Sequence, residues 1–509
     1  MPRVQLGAVV ALTLVAVLAE STLDKLLLLP VALVTEVART PPAQLPAAAL
    51  LLLLVTATYA QFRRNPELER TWRMAASAMA VGGIVWFFRA GDLDWHITGD
   101  WRKEWIYYTA WKEALAAGRL PWYLIEVFQT TNRFFANPET AAGPQVILLR
   151  WIPIGAYFAA IAAACMAIDV TVLHRLAREL DFSPLVSLLV LALFLMNGHL
   201  IAHLGGGHLQ WIACFALPGV FLYLLRAARG DTSAQTRARL ALSLMLMLVV
   251  GGWHPFVWCV IFIAAWTIAD RSRWTFGIGV GVLTAGLAAF RVVPGMTVYA
   301  SSHNVFLSSY QSLDVLVAAL VGFARNGING LFWFEYDAFV GWVGFAIVCA
   351  GLTAPINRSW RSAASSLWVP SMTLTILSIF DIYKWTLFRL PGFVSERVAT
   401  RLVIVGVLGF ALIGGTQLDR WVRREPHRRW RIAAVGLATA LLLLQLVLRT
   451  NQLRPGPDQG LGPAAVNVLS VEPVDTTYAV SVVAGVAISL VSLAFAMRQW
   501  RVGGQLIKP

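Results

Sequence analysis

Four stretches of this chain put side chains capable of chemistry close together. Residues 91–122 read GDLDWHITGDWRKEWIYYTAWKEALAAGRLPW, gathering Asp92, Asp94, His96 and Asp100 with several cations and a row of aromatics. In the Asp-Leu-Asp pair one carboxylate could act as general base on an acceptor hydroxyl while the other orients it or helps hold a divalent cation, magnesium or manganese. Asp100 stands where a helix N-cap is expected. His199 and His203 are spaced i, i+4, with His208 arriving across Gly205, Gly206 and Gly207. Such spacing could place two imidazoles on one metal, although no His-Glu-x-x-His pattern is present; hydrogen bonding to a substrate is the alternative. His254 is fixed by the following Pro255, and His303 lies in a long polar connection with Glu335 and Asp337, which could contact substrate or cap the next helix. Arg397 and Arg401, again i, i+4, open an apolar segment. A helix N-terminus with two guanidiniums is a natural phosphate site, which Lys384 and Arg291 could join; snorkelling at a membrane interface is the plainer reading.

These groups need a scaffold, and the composition says which kind. The 509 residues are 58% hydrophobic and only 13% charged, with a mean hydropathy of +0.67, far more apolar than a soluble domain of this length. A bilayer crossing takes roughly 20 apolar residues per helix. The pattern predicts an all-α, polytopic transmembrane bundle of about fourteen helices over residues 5–19, 46–61, 74–89, 149–173, 184–201, 209–226, 238–252, 255–270, 275–293, 338–356, 366–380, 398–416, 432–448 and 478–497. Residues 26–37, broken by Pro30, read as a surface or re-entrant segment. Residues 100–118 predict an amphipathic interfacial helix, with Trp101, Trp105, Tyr108, Trp111 and Leu115 on one side and Arg102, Lys103, Glu104, Lys112 and Glu113 on the other. Three regions follow: an N-terminal helix pair (1–73), a core (74–420) containing the loop 90–147, and C-terminal helices (421–509) with a Pro/Gly-rich linker at 450–477.

The net charge of +14 is explained by arginines flanking cytoplasmic helix ends, and no nucleic-acid partner is expected. Placing Arg63, Arg64, Arg70 and Arg73 inside makes each later basic cluster fall inside too, with both termini cytoplasmic. Six histidines (His96, His199, His203, His208, His254, His303) then lie on the outer side, and His174 and His427 inside. A membrane face that gathers acids and imidazoles from separate loops is a site hypothesis. Cys165, Cys214, Cys259 and Cys349 sit in apolar segments without CxxC spacing and read as buried thiols. The first segment is expected to be retained rather than cleaved as a signal peptide.

Several short motifs resemble the GT-C superfamily of membrane glycosyltransferases. They are Gly91 to His96, Trp111 to Leu115, Gly118 to Pro121 and Asn132 to Pro138 in the first long loop. Gly206-Gly207-His208 leading to Phe215-Ala216-Leu217-Pro218, Glu335 with Val340-Gly341, and Leu390-Pro391 with Arg397 and Arg401 are similar to the YfhO-type branch. The resemblance implies inverting transfer of a sugar from a polyprenyl-phosphate carrier to a glycan, lipid or protein acceptor of the cell envelope, on the outer face of a bacterial plasma membrane. Asp94 or Asp92 would be the base, and His96, His208, His254, His303, Lys384, Arg397, Arg401 and Glu335 would bind substrate. The rival expectations are a transporter or flippase, which should carry ionisable groups mid-span and broken helices, and a non-catalytic assembly partner.

Overall fold

A computed structural model of the chain describes residues 53, 54, 57, 61, 66–88, 100–125, 131–299, 305–322, 331–354, 363–390, 392–425, 427–453 and 467–505. Asp92, Asp94, His96 and His303 lie outside the described residues, as do the first expected span, the segment 26–37 and residues 454–466 of the linker. Among the described residues there is no strand, only isolated bridges.

The helices used below are α1 (Pro66–Phe88), α2 (Trp101–Ala116), α3 (Ile154–Glu179), α4 (Pro184–Met196), α5 (Gly198–Gly206), α6 (Leu217–Ala228), α7 (Ala234–Val249), α8 (Trp253–Ile268), α9 (Trp274–Tyr299), α10 (Leu313–Val321), α11 (Gly341–Leu352), α12 (Trp368–Leu377), α13 (Val403–Arg423), α14 (Arg428–Leu453) and α15 (Thr476–Gln505). Seven helical segments among the described residues are long and apolar enough to cross a membrane: Ile154–Glu179, Pro184–Gly206, Leu209–Ala228, Arg271–Val298, Ala399–Arg423, Arg428–Thr450 and Thr476–Trp500. Three more apolar helices, Trp253–Ile268, Gly341–Leu352 and Ala363–Leu377, are shorter. Of the roughly fourteen expected spans, seven segments of crossing length are found among the described residues, where several other apolar runs fold as shorter helices joined by turns.

The bundle has two chemically different ends. At one end arginines dominate: Arg226 and Arg229 hold Glu179, Arg423 holds Asp181 and Asp419, and Arg239 stacks on Trp500. The opposite end collects the N-termini of α8 and α13, the C-termini of α5 and α14, and the helix α2.

Local chemistry explains how that end is shaped. Asn197 interrupts the span Pro184–Gly206 by adopting an extended backbone. Its side-chain oxygen accepts from Leu200 N at 2.9 Å, capping α5, while its amide nitrogen donates to Leu193 O and Phe194 O at the end of α4. The break therefore leaves these buried backbone groups paired. Gly207, at φ +101, ends α5 in the left-handed conformation, turning the chain back so that His208 N donates to His203 O.

The helix α2 is not amphipathic in the way the spacing suggested. Trp101, Tyr108 and Trp111 are buried, but so are Lys103 and Glu104 from the expected wet face, leaving Arg102 and Lys112 exposed. The helix is enclosed because residues 131–150 fold over it: Trp111 donates to Ala141 O, and Lys103 pairs with Glu139. The far end of the linker closes the same edge, with Ile125 N donating to Val468 O and Glu113 accepting from Val468 N. The four cysteines are free thiols, three of them buried.

Candidate functional site

Two chains of buried polar groups meet at the acid- and histidine-bearing end of the bundle, and Trp211 stands among them. Its ring stacks on His203 at 4.2 Å and on His208 at 4.8 Å, and the Arg401 guanidinium lies 5.0 Å from its centroid. Its indole N–H donates to His199 Nε2 at 3.0 Å. That bond fixes a tautomer: Nε2 is an acceptor, so Nδ1 carries the proton and donates to Asp337 O at 3.1 Å. Both nitrogens of His199 are thus committed.

The first chain runs Asp100, His208, His203. Asp100 has the place of an N-cap, but its carboxylate makes no capping bond; it accepts from His208 Nε2 instead. His208 Nδ1 meets His203 Nδ1 at 2.6 Å. His203 Nε2 is fully buried without a hydrogen-bond partner and lies 4.0 Å from Glu335 Oε2. Burial opposes ionisation of Asp100, but the His208 hydrogen bond and the nearby Lys103 ammonium outweigh it and hold the carboxyl down to about 2.

Glu335 in turn grips Arg401 with both oxygens, Nε to Oε2 at 2.6 Å and a terminal nitrogen to Oε1 at 2.5 Å. Such a planar fork fixes the guanidinium more firmly than a point contact would. Burial alone would raise the Glu335 carboxyl; Arg401 prevails and keeps it low.

The second chain runs Lys103, Glu139, His254, Glu396, Trp258. Lys103 Nζ bonds Glu139 Oε2 at 2.7 Å, and Glu139 Oε1 faces His254 Nε2 at 3.2 Å. His254 Nδ1 meets Glu396 Oε1 at 2.5 Å, and Glu396 Oε2 accepts from Trp258 at 2.8 Å. With a carboxylate on each nitrogen, His254 must carry both protons. Two cations and two anions then alternate along the chain, a neutral sum that lets it stay dry. Burial opposes both ends of the first pair, yet each charge holds the other: Glu139 stays well below the ordinary carboxylate range and Lys103 above the usual ammonium value. Glu104 is different. It is buried with one oxygen unpartnered, and burial drives its carboxyl well above the ordinary range.

Several expectations change at this point. His199 is not free to hold a metal: both its nitrogens are occupied by protein groups, as is Nδ1 of His203. Among the described residues no group of three or more His, Cys, Asp or Glu could hold a metal ion. Arg397 and Arg401 do not make one clamp. The helical turn begins only at Ala399, so the four-residue spacing puts Arg401 in the interior while Arg397 is exposed on extended chain. Lys384 lies over Phe306 and Trp385, and Arg291 donates to Thr140 Oγ1 and Asn137 O; no shared phosphate clamp with Arg401 is formed. Asp337 caps nothing at a helix start; it pairs with the buried Arg449 and accepts from Phe339 N. Of the expected binding residues, His208, His254, Glu335 and Arg401 are brought together. Trp211, Lys103, Glu139 and Glu396 join them, and no chemical signal singles out Trp211 among the 21 tryptophans of the sequence.

Comparison with family models, with curated proteins and with solved structures finds no match for this chain. The chemistry must be read from the site itself.

Proposed function

We propose that this protein is a polytopic membrane glycosyltransferase that moves a sugar from a polyprenyl-phosphate carrier to a cell-envelope glycan, lipid or protein. The observation that carries the reading is the Glu335–Arg401 fork, buried at one end of an apolar bundle and enclosed by imidazoles and carboxylates from separate segments. Ionised groups are costly beside lipid and are retained where they serve a substrate. Arg401 is the fixed cation beside which the negative charge of a departing phosphate would develop, and fixed cations act best in a dry site. In the inverting mechanism the acceptor hydroxyl loses its proton to Asp94 or Asp92 and attacks the anomeric carbon as the carrier phosphate leaves.

The arginine-rich end of the bundle is the cytoplasmic one on this reading, by the usual bias of basic residues, and the site opens on the outer face of a bacterial plasma membrane. Lys384 and Arg389, stacked around Trp385, lie on a segment suited to the headgroup layer. One observation favours a transport function as the second reading: Asp169, within the span Ile154–Glu179, is buried with one oxygen lacking a partner.

Donor turnover decides between them. Purified protein in nanodiscs is offered a panel of polyprenyl-phosphate sugars, with Asp94→Asn, Asp92→Asn and Arg401→Lys beside the wild type. Slow hydrolysis or transfer of one donor by the wild type, lost in a folded variant, supports the transferase. No turnover of any donor with or without magnesium or manganese sinks it.

A further inference from the structure

We propose that Asp100, His208 and His203 form a proton path that joins the buried Glu335–Arg401 pair to water. The directions of the hydrogen bonds follow from the carboxylate. An ionised Asp100 can only accept, so His208 carries its proton on Nε2. A neutral His208 then has its lone pair on Nδ1, and the 2.6 Å contact makes His203 Nδ1 the donor. His203 Nε2 is left as a bare lone pair, buried and unpartnered.

That lone pair faces Glu335 Oε2 at 4.0 Å, and both oxygens of Glu335 already accept from Arg401. His203 Nε2 is thus a buried acceptor still in want of a donor, beside a carboxylate that is already satisfied. A hydroxyl of an entering substrate would supply it. The other charged and titratable neighbours of His203 are His199, His208, His254 and Arg401. With its one proton on Nδ1, His203 keeps Nε2 empty.

The transfer balances. A proton arriving at His203 Nε2 forms an N–H bond there, while the Nδ1–H bond of the same ring breaks and its proton passes to His208 Nδ1. His208 releases its Nε2 proton to Asp100, and the resulting carboxylic acid yields it to water. Asp100 is suited to the exit, with 45% of its side chain accessible against 4% for His208 and none for His203. The reverse stroke returns a proton to the site and restores the starting tautomers. On the transferase reading, on which this use of the path rests, the forward stroke carries off the proton that the acceptor hydroxyl sheds to Asp94 or Asp92, and the reverse stroke protonates the departed carrier phosphate.

The test reads the rings directly. Full-length protein labelled with 15N-histidine in nanodiscs is measured by solid-state NMR at neutral pH, with His203→Asn and His208→Asn assigning the signals. His203 is expected unprotonated at Nε2 in the wild type and in Asp100→Asn, whose amide oxygen still accepts from His208. In Asp100→Leu, His203 is expected to switch and carry its proton on Nε2, towards Glu335. A protonated Nε2 in the wild type overturns the path, and this result needs no variant to fold; an unchanged His203 tautomer in folded Asp100→Leu overturns it as well. A second arm uses whichever polyprenyl-phosphate sugar the wild type turns over: Asp100→Asn is expected to lower kcat about a hundredfold with KM unchanged, and an undiminished kcat overturns the path. A protein that turns over no donor loses the transferase reading, while the tautomers still judge the path.

Discussion

Gly207 passes so close to Trp101 that a methyl group on Gly207 would stand 2.2 Å from Trp101 N. This backbone contact, with Asp100 N donating to Gly206 O at 3.3 Å, seats the start of α2 against the end of α5 and so sets Asp100 on His208. Gly207→Ala should therefore break the Asp100–His208 contact and cost about 2–4 kcal/mol, from backbone collision and the φ of +101 together. Gly118→Ala is the control. It shares a positive φ, +63, but has open space around it, and should cost only about 1 kcal/mol. Thermal unfolding in detergent measures both, and equal losses would refute the contact.

Lys103 and Glu139 should behave as a buried pair. Lys103→Met leaves the Glu139 carboxylate uncompensated and should cost about 3–5 kcal/mol, with Lys103→Met/Glu139→Gln recovering part of it. The pH signs follow. Glu139, held below the ordinary value of 4.5, contributes stability above that pH that is lost as pH falls through its folded value. Lys103, held above 10.5, contributes stability below that pH that is lost as pH rises through its folded value. Melting temperature against pH should fall on both flanks in the wild type, and the double variant should lack both contributions.

Glu104→Gln is expected to stabilise. The folded carboxyl is raised above its ordinary 4.5 by burial, so it favours the fold fully only below pH 4.5, and that contribution is lost as pH rises through the folded value. The glutamine does not ionise. Its advantage in melting temperature should vanish below pH 4.5 and widen above it; an advantage independent of pH would show that Glu104 is ionised in the fold.

Arg401→Lys keeps a cation but not the two-pronged hold of Glu335. Turnover of a lipid-phosphate donor should fall about a hundredfold or more, with unfolding little changed. Undiminished turnover would remove Arg401 from the reaction.

Arg449 and Asp337 should matter to folding rather than to turnover. The pair is almost wholly buried, 1% and 0% accessible, and Gly198 lies against it, where an added Cβ would meet Asp337 Oδ1 at 2.0 Å. Arg449→Met should cost about 3–5 kcal/mol by stranding the carboxylate, and Arg449→Met/Asp337→Asn should restore part of the loss in chemical denaturation.

Much of this was legible in the sequence. Apolar run lengths determined an all-helical membrane scaffold, since only closed backbone pairing survives in lipid, and the arginine clusters determined that the two ends differ. The helix after Asp100 and its stop near Gly118 were also readable, from a capping residue and a glycine. Which polar groups meet was not. Periodicity places a side chain on a face of its own helix but says nothing of what covers that face, so Lys103 and Glu104 read as wet until residues 131–150 closed over them. Asp100 read as a cap, yet its carboxylate was taken by a histidine 108 residues away. Arg397 and Arg401 matched a helical spacing on chain that is not helical between them. Trp211 became the centre of the cluster only when its turn packed against the ends of α5 and α13. Local spacing determined the elements, and long-range packing decided the site, because a buried charge is tolerable only beside a partner that another part of the chain supplies.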